Sequence, residues 1–156
     1  MSKIYVCMAS TLLLTTGCTE GLKEFPTAKT TGVVTCEGKP VAHVQVYFAP
    51  KATGKSAVVG KSGWGTTAED GTFTLSTYGD EDGAVVGSHE VSVGPPHAER
   101  FPGFECDCET SSTAVLQEVS ISKDADNHFK IELPKKTGRR KKQVNDDDLD
   151  DLEDDD

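Results

Sequence analysis

Positive charge is scarce in this sequence. Sixteen Lys and Arg stand against 26 Asp and Glu, a net charge of −10. That balance excludes a nonspecific nucleic-acid binder, which needs a basic stripe to face phosphates. Nine of the acids fall between Asp146 and Asp156, so the excess belongs to one end of the chain and not to a charged binding face. Aromatic residues are also few, at 6% with a single Trp, whereas Gly, Thr, Ser and Val are plentiful. Such a composition suits a β-rich fold with many turns. No nucleophile elbow, phosphate-binding loop, dinucleotide fingerprint or zincin motif is present, which leaves an enzymatic reading without a constellation and calls for no cofactor. A run of apolar residues long enough to cross a bilayer is missing as well. The most apolar stretch is Ile4 to Leu14, which has the length of a signal-peptide core and falls short of a membrane-spanning helix.

What is present begins with that stretch. Lys3 precedes it, and Thr15-Thr16-Gly17-Cys18 follows at once. The arrangement resembles the bacterial lipobox, in which small residues precede a cysteine that takes a diacylglycerol thioether and becomes the mature N-terminus. Thr15 stands where the lipobox usually carries Leu. The alternative is an ordinary secretory signal cleaved nearby, and either reading sends the protein out of the cytoplasm. The expected organisation is a signal peptide over residues 1–17, a tether over 18–30 beginning with lipidated Cys18, one domain over 31–133 and a disordered basic-then-acidic tail over 134–156. Acyl chains on Cys18 supply enough hydrocarbon for stable anchoring. About a hundred residues are enough for one modest core without a metal or a disulfide framework.

Between Thr31 and Leu133 the patterning has the period of strands. Strands are expected over Gly32–Cys36, Val41–Phe48, Trp64–Ala68, Thr72–Thr77, Gly87–Val93, Val115–Ile121 and His128–Leu133. Val44, Val46 and Phe48 share one face, as do Phe73 with Leu75 and His89 with Val91 and Val93. His43 falls on the opposite face from Val44 and is expected to be exposed. Glu69-Asp70-Gly71 makes a hairpin turn in which Gly71 takes positive φ. About seven short strands in this length point to an all-β, Greek-key sandwich.

Four turn-and-strand motifs in order carry a family resemblance. They are Gly32-x-Val34-Thr35-x-x-Gly38-Lys39-Pro40-Val41, Val46-x-Phe48-x-Pro50, Thr67-x-x-Asp70-Gly71-x-Phe73-x-Leu75-x-Thr77, and Asp82-Gly83-Ala84-x-x-Gly87-x-x-x-Val91-x-Val93. Together they resemble the carboxypeptidase regulatory-like, transthyretin-like domains, in the version similar to small lipoproteins of planctomycete-type bacteria. The match covers Thr31 to Val93. The resemblance implies a prealbumin-like sandwich with no catalytic residues of its own.

Three features carry chemistry. Cys106-Asp107-Cys108, with His97 upstream in a Pro/Gly-rich loop, has soft-metal ligand types but not the spacing of a standard zinc knuckle. In an oxidising compartment a disulfide from Cys36 to one of the pair competes with metal binding, and incidental thiols are a third reading. Trp64, between Gly63 and Gly65, is either a core residue or an exposed indole of the kind on which sugar-binding sandwiches stack a pyranose ring. The basic run Lys135 to Lys142 and the acidic run after it are expected to be disordered and to attract each other transiently. The functional expectation is therefore a membrane-anchored extracytoplasmic lipoprotein, in the cell or outer membrane. Its non-catalytic sandwich would contact an envelope protein or polysaccharide. The alternative is a metal or carbohydrate binder using Cys106 and Cys108 or Trp64.

Overall fold

A computed structural model of the protein describes residues 24–52 and 58–137. The segment expected to be a signal peptide, Cys18 and the charged run from residue 138 onward lie outside the described residues. The strands are β1 (Thr27–Ala28), β2 (Thr30–Cys36), β3 (Lys39–Pro40), β4 (Gln45–Pro50), β5 (Gly63–Thr66), β6 (Thr72–Thr74), β7 (Ala84–Val85), β8 (Gly87–Gly94), β9 (Gln117–Ile121) and β10 (Asn127–Leu133). The described residues contain no helix, and the architecture is an all-β sandwich.

One sheet is built around β2. On one side it pairs in parallel with β10, and on the other it pairs antiparallel with β6 and then β3. The second sheet runs β5-β4-β8-β9, antiparallel throughout. A two-stranded ribbon of β1 and β7 forms a third ladder, with Ala28 and Ala84 packed into the same core. The two sheets meet at one corner, where the chain leaving β6 crosses from the first to the second. β6 pairs with β2, the Leu75 N–H donates to the Thr30 carbonyl, and then Ser76 exchanges both backbone hydrogen bonds with Trp64 of β5 at 2.9 Å.

Strand alternation decides what lies between the sheets. From the second sheet Val46, Phe48, His89, Val91, Val93 and Ile121 are buried, and from the first Val34, Phe73, Ile131 and Leu133. Phe48 is at the centre, its ring 5.6 Å from Phe129, 6.2 Å from Phe73 and 6.2 Å from His89. Phe129, Gly32 and Phe73 lie side by side across three strands of the opposing sheet. A Cβ on Gly32 would meet the Phe129 carbonyl at 2.2 Å and the Phe73 ring at 2.5 Å, so only glycine leaves room for the β10 backbone and the Phe73 ring together.

Four expectations need correction. The strand placed at Val41–Phe48 starts at Gln45, because His43 adopts φ +65° and breaks the extended run. Buried Thr67 holds that bend: its hydroxyl donates to the Val41 carbonyl and accepts the Val44 N–H, while its carbonyl accepts the His43 N–H. His43 is consequently half-buried instead of exposed. The tether drawn to residue 30 is too long, since Thr27–Ala28 pair with Ala84–Val85 and Thr30 begins β2 with its side chain buried. The tail drawn from residue 134 starts too early, because Glu109 N–H donates to the Pro134 carbonyl and Lys136 N–H to that of Asp107. Gly71 takes the positive φ its turn requires, at +74°.

Two outcomes test this account. Gly32→Ala drives a methyl into backbone, not into a yielding side chain, and should lower stability by about 1–3 kcal/mol in urea unfolding, as overpacking does. An unchanged midpoint would mean that the β10 backbone and the Phe73 ring yield freely. His89 provides the second. Its ring is buried, its Nδ1 meets the Gly87 carbonyl at 3.1 Å, and its Nε2 has no hydrogen-bond partner among the described residues. Burial lowers its pKa below the ordinary 6.5, against the opposing pull of that carbonyl. The unfolded chain therefore binds a proton near pH 6.5 while the folded chain resists it. Stability is full above the unfolded pKa and declines as pH falls below it. Wild type should lose stability between about pH 7 and about pH 5, and His89→Leu should lose less over that interval. Parallel curves for the two proteins would remove His89 from the acid response.

Candidate functional site

Two surface regions gather chemically distinctive side chains, one at each end of β2's sheet neighbours. The first is a cleft of about 370 Å³ whose lining includes Cys36, Val41, His43, Glu69, Phe104 and Cys106. Cys36 closes β2 and forms a disulfide with Cys108, with Cα atoms 6.0 Å apart and 72 residues between them in sequence. Cys108 is fully buried and makes an isolated β-bridge with Lys135, so the bond ties the long loop after β8 to the ends of β2 and β10. Cys106 remains a half-buried thiol whose Sγ accepts the Cys108 N–H at 3.4 Å.

His43 reaches the same cleft because of its bend. Its ring stacks on Phe101 with centroids 4.0 Å apart, and its Nε2 lies 3.1 Å from Glu69 Oε1. The imidazole thus has one face covered and one nitrogen committed to a carboxylate. Lys135 Nζ donates to Glu37 Oε1 at 2.8 Å, and that bond raises the lysine's pKa from its ordinary value. His97 lies elsewhere. It is exposed in a turn whose backbone carbonyl accepts the N–H groups of Arg100 and Phe101. Cys36 and Cys108 are consumed in the disulfide, and among the described residues no three His, Cys, Asp or Glu side chains converge as a metal-ligand set. The metal arrangement of Cys36, Cys106, Cys108 and His97 is not assembled.

The second region is a groove of about 580 Å³ lined by Trp64, Thr66, Thr74, Ser76, Asp80 and Glu81. Trp64 is 49% exposed, so it is not a core residue. Its neighbours Gly63 and Gly65 point inward and are buried; a Cβ on Gly65 would meet the Thr74 carbonyl at 2.4 Å. That missing Cβ lets β5 lie close against the end of β6. Register places Trp64 directly opposite Tyr47, and Tyr47 opposite Ser92, on the outward face of the second sheet. The Tyr47 hydroxyl donates to the Gln45 amide oxygen.

The acidic wall of the groove is a structured turn. Asp82 organises it: one carboxylate oxygen accepts the Thr77 N–H at 2.6 Å, and the other accepts those of Tyr78 and Gly79 at 3.0 and 3.2 Å. Burial pushes the Asp82 carboxyl up, and these three amides outweigh it to hold the group below its ordinary 3.8. The Glu81 N–H donates to Ser76 Oγ at 2.9 Å, and Glu81 itself sits at φ +51°. Sequence reasoning singled out Trp64 and the cysteines but missed His43 with Glu69 and the pairing of Tyr47 with Trp64. The second was discoverable in principle, because Tyr47 alternates outward between Val46 and Phe48.

The disulfide closes a loop long enough that its removal should cost about 4 kcal/mol of stability on chain-entropy grounds. Non-reducing peptide mapping should link the Cys36 peptide to the one carrying Cys106 and Cys108 and, of these three cysteines, find Cys106 alone alkylated. Alkylation of Cys108 in the native protein would overturn the pairing.

No family model matches the chain, and no curated protein matches it. Among solved structures it is similar to a DUF3823 family protein from Parabacteroides merdae ATCC 43184, with 14% sequence identity and a TM-score of 0.40 over 72% of this chain and 48% of that one. The chain spans about half the length of that protein.

Proposed function

We propose that this chain is an extracytoplasmic lipoprotein, anchored in a membrane through acylated Cys18, whose β-sandwich serves as a non-catalytic module contacting an envelope component. The observation that carries the reading is the Cys36–Cys108 disulfide. A cross-link joining a long loop to two strands persists in an oxidising compartment and is rare in a reducing one. It agrees with an N-terminal segment that has signal-peptide length and ends in Gly17-Cys18. The resemblance of residues 31–93 to transthyretin-like, carboxypeptidase regulatory-like domains supports the same reading.

The non-catalytic part rests on how the imidazoles are used. His43 Nε2 engages Glu69, His89 is buried away from solvent, and His128 Nδ1 lies 3.0 Å from the Thr31 hydroxyl. None of these contacts is to a nucleophile in a cleft of the kind that acyl or phosphoryl transfer requires.

Intact mass of the membrane-extracted N-terminal peptide tests the anchor, with wild type set beside Cys18→Ala. The expected result is a mature N-terminus at Cys18 carrying acyl mass, with the variant unacylated and released from the membrane fraction. An unmodified N-terminus at another residue in wild type would overturn the anchor and leave a soluble secreted domain.

A further inference from the structure

We propose that the Trp64 groove binds a neutral pyranose sugar, with the indole as its stacking platform. The inference rests on reading the sandwich as a binding module and is independent of acylation at Cys18. Four observations carry it.

The indole is presented, not packed. Trp64 is 49% exposed on a strand whose adjacent residues, Gly63 and Gly65, point inward and carry no side chain. Nothing on β5 next to it can fold over the ring.

Its backbone is fixed on both sides. β4 pairs with it through Tyr47, and Ser76 pairs with it through two 2.9 Å hydrogen bonds. β5 is thus the outer strand of its sheet but has no open backbone edge at Trp64. A peptide cannot add there as another strand, so a ligand must use side chains. A platform held this way loses little freedom on binding.

The groove's polar groups match sugar hydroxyls. Asp80 and Glu81 supply carboxylate acceptors, and Thr66, Thr74 and Ser76 supply hydroxyls able to donate or accept. A pyranose offers an apolar C–H face for the indole and a rim of hydroxyls that donate to carboxylates. No Lys or Arg lines the groove, so the anionic groups of uronic or sialic acids would meet only like charge.

The turn bearing the acids is shaped before ligand arrives. Asp82 holds it through three backbone amides, and the Glu81 N–H is bonded to Ser76 Oγ. Ser76 thereby joins the platform strand to the acidic turn.

The chain has one Trp, so its intrinsic fluorescence reports this site directly. The full-length protein in detergent micelles is titrated with cellotriose, maltotriose and chitotriose, and separately with trigalacturonate and with choline. A saturable change in indole emission with at least one neutral oligosaccharide, and none with trigalacturonate or choline, is expected. Calorimetry with the responding sugar should then show binding weakened about 10-fold in Asp80→Asn, equivalent to about 1.4 kcal/mol. Trp64→Ala should abolish it. Trp64→Phe, which preserves an aromatic face should the alanine variant unfold, should retain weakened binding. Absence of a saturable response to all three neutral sugars overturns the proposal, as does an equal response to trigalacturonate, a response to choline alone, or unchanged calorimetry in Trp64→Phe and Asp80→Asn. Membrane fractionation of Trp64→Ala should match wild type. Loss of sugar binding with anchoring intact separates failure of this inference from failure of the lipoprotein reading.

Discussion

Phe48 meets Phe73, Phe129 and His89 between the two sheets, and its inward orientation fixes the parity of the strand that carries it. A strand has period 2, so a residue adjacent to a buried one must face out. Once Val46 and Phe48 are committed to the core, Tyr47 is committed to the outer face. Antiparallel register then carries that commitment sideways to Trp64 on β5 and Ser92 on β8. The outward aromatic row is therefore a consequence of the core. Slipping the register by one residue would bury the indole and expose Phe48 together, at a cost of several buried apolar side chains.

The same constraint reaches the acidic turn through β6. The strand itself belongs to the first sheet and the residues just after it cross to the second, because Leu75 still bonds to Thr30 while Ser76 has already turned to Trp64. Close approach at the crossover is possible only because Gly65 lacks a Cβ. Beyond it Thr77 is buried, its hydroxyl donating to the Gly83 carbonyl, and Asp82 ties the intervening residues back. Gly83 lies against the Ala28 backbone, where a Cβ would come within 1.8 Å of that carbonyl, and it also takes φ +87°. β1 and β7 form around this contact. Core, crossover and groove are one connected piece of geometry.

Much of this was legible in the sequence where a single local rule governs. The faces of β4 and β8 followed from alternation, and the Gly71 turn from its Asp-Gly pair. What was not legible depends on distant partners. The parallel pairing of β2 with β10 joins residues nearly a hundred positions apart, and no local pattern specifies parallel over antiparallel neighbours. β1 and β7 are two residues each, below the length at which periodicity can be seen. His43 continued an apparent strand pattern from Val41, and only Thr67, 24 residues on, explains why the chain bends there. Cys106 and Cys108 were equivalent candidates for Cys36 by composition. What separates them is burial, since Cys108 enters the core beside the ends of β2 and β10 while Cys106 stays at the rim.

That difference also bears on which end of the sandwich is suited to a ligand. The cysteine cleft spends its reactive groups on internal bonds: two thiols in a cross-link, an imidazole between a phenyl ring and a carboxylate, and Cys106 Sγ accepting a backbone N–H. Side chains already partnered must be released before they can bind anything, and each release has a free-energy cost. The Trp64 groove is arranged the other way. Its hydrogen bonds are made largely by backbone amides and by Asp82, behind the surface. These bonds stabilise the shape, while the indole face remains half-exposed to solvent. An arrangement that spends its buried polar groups on rigidity and leaves its aromatic face open is already in the form a bound ligand would require.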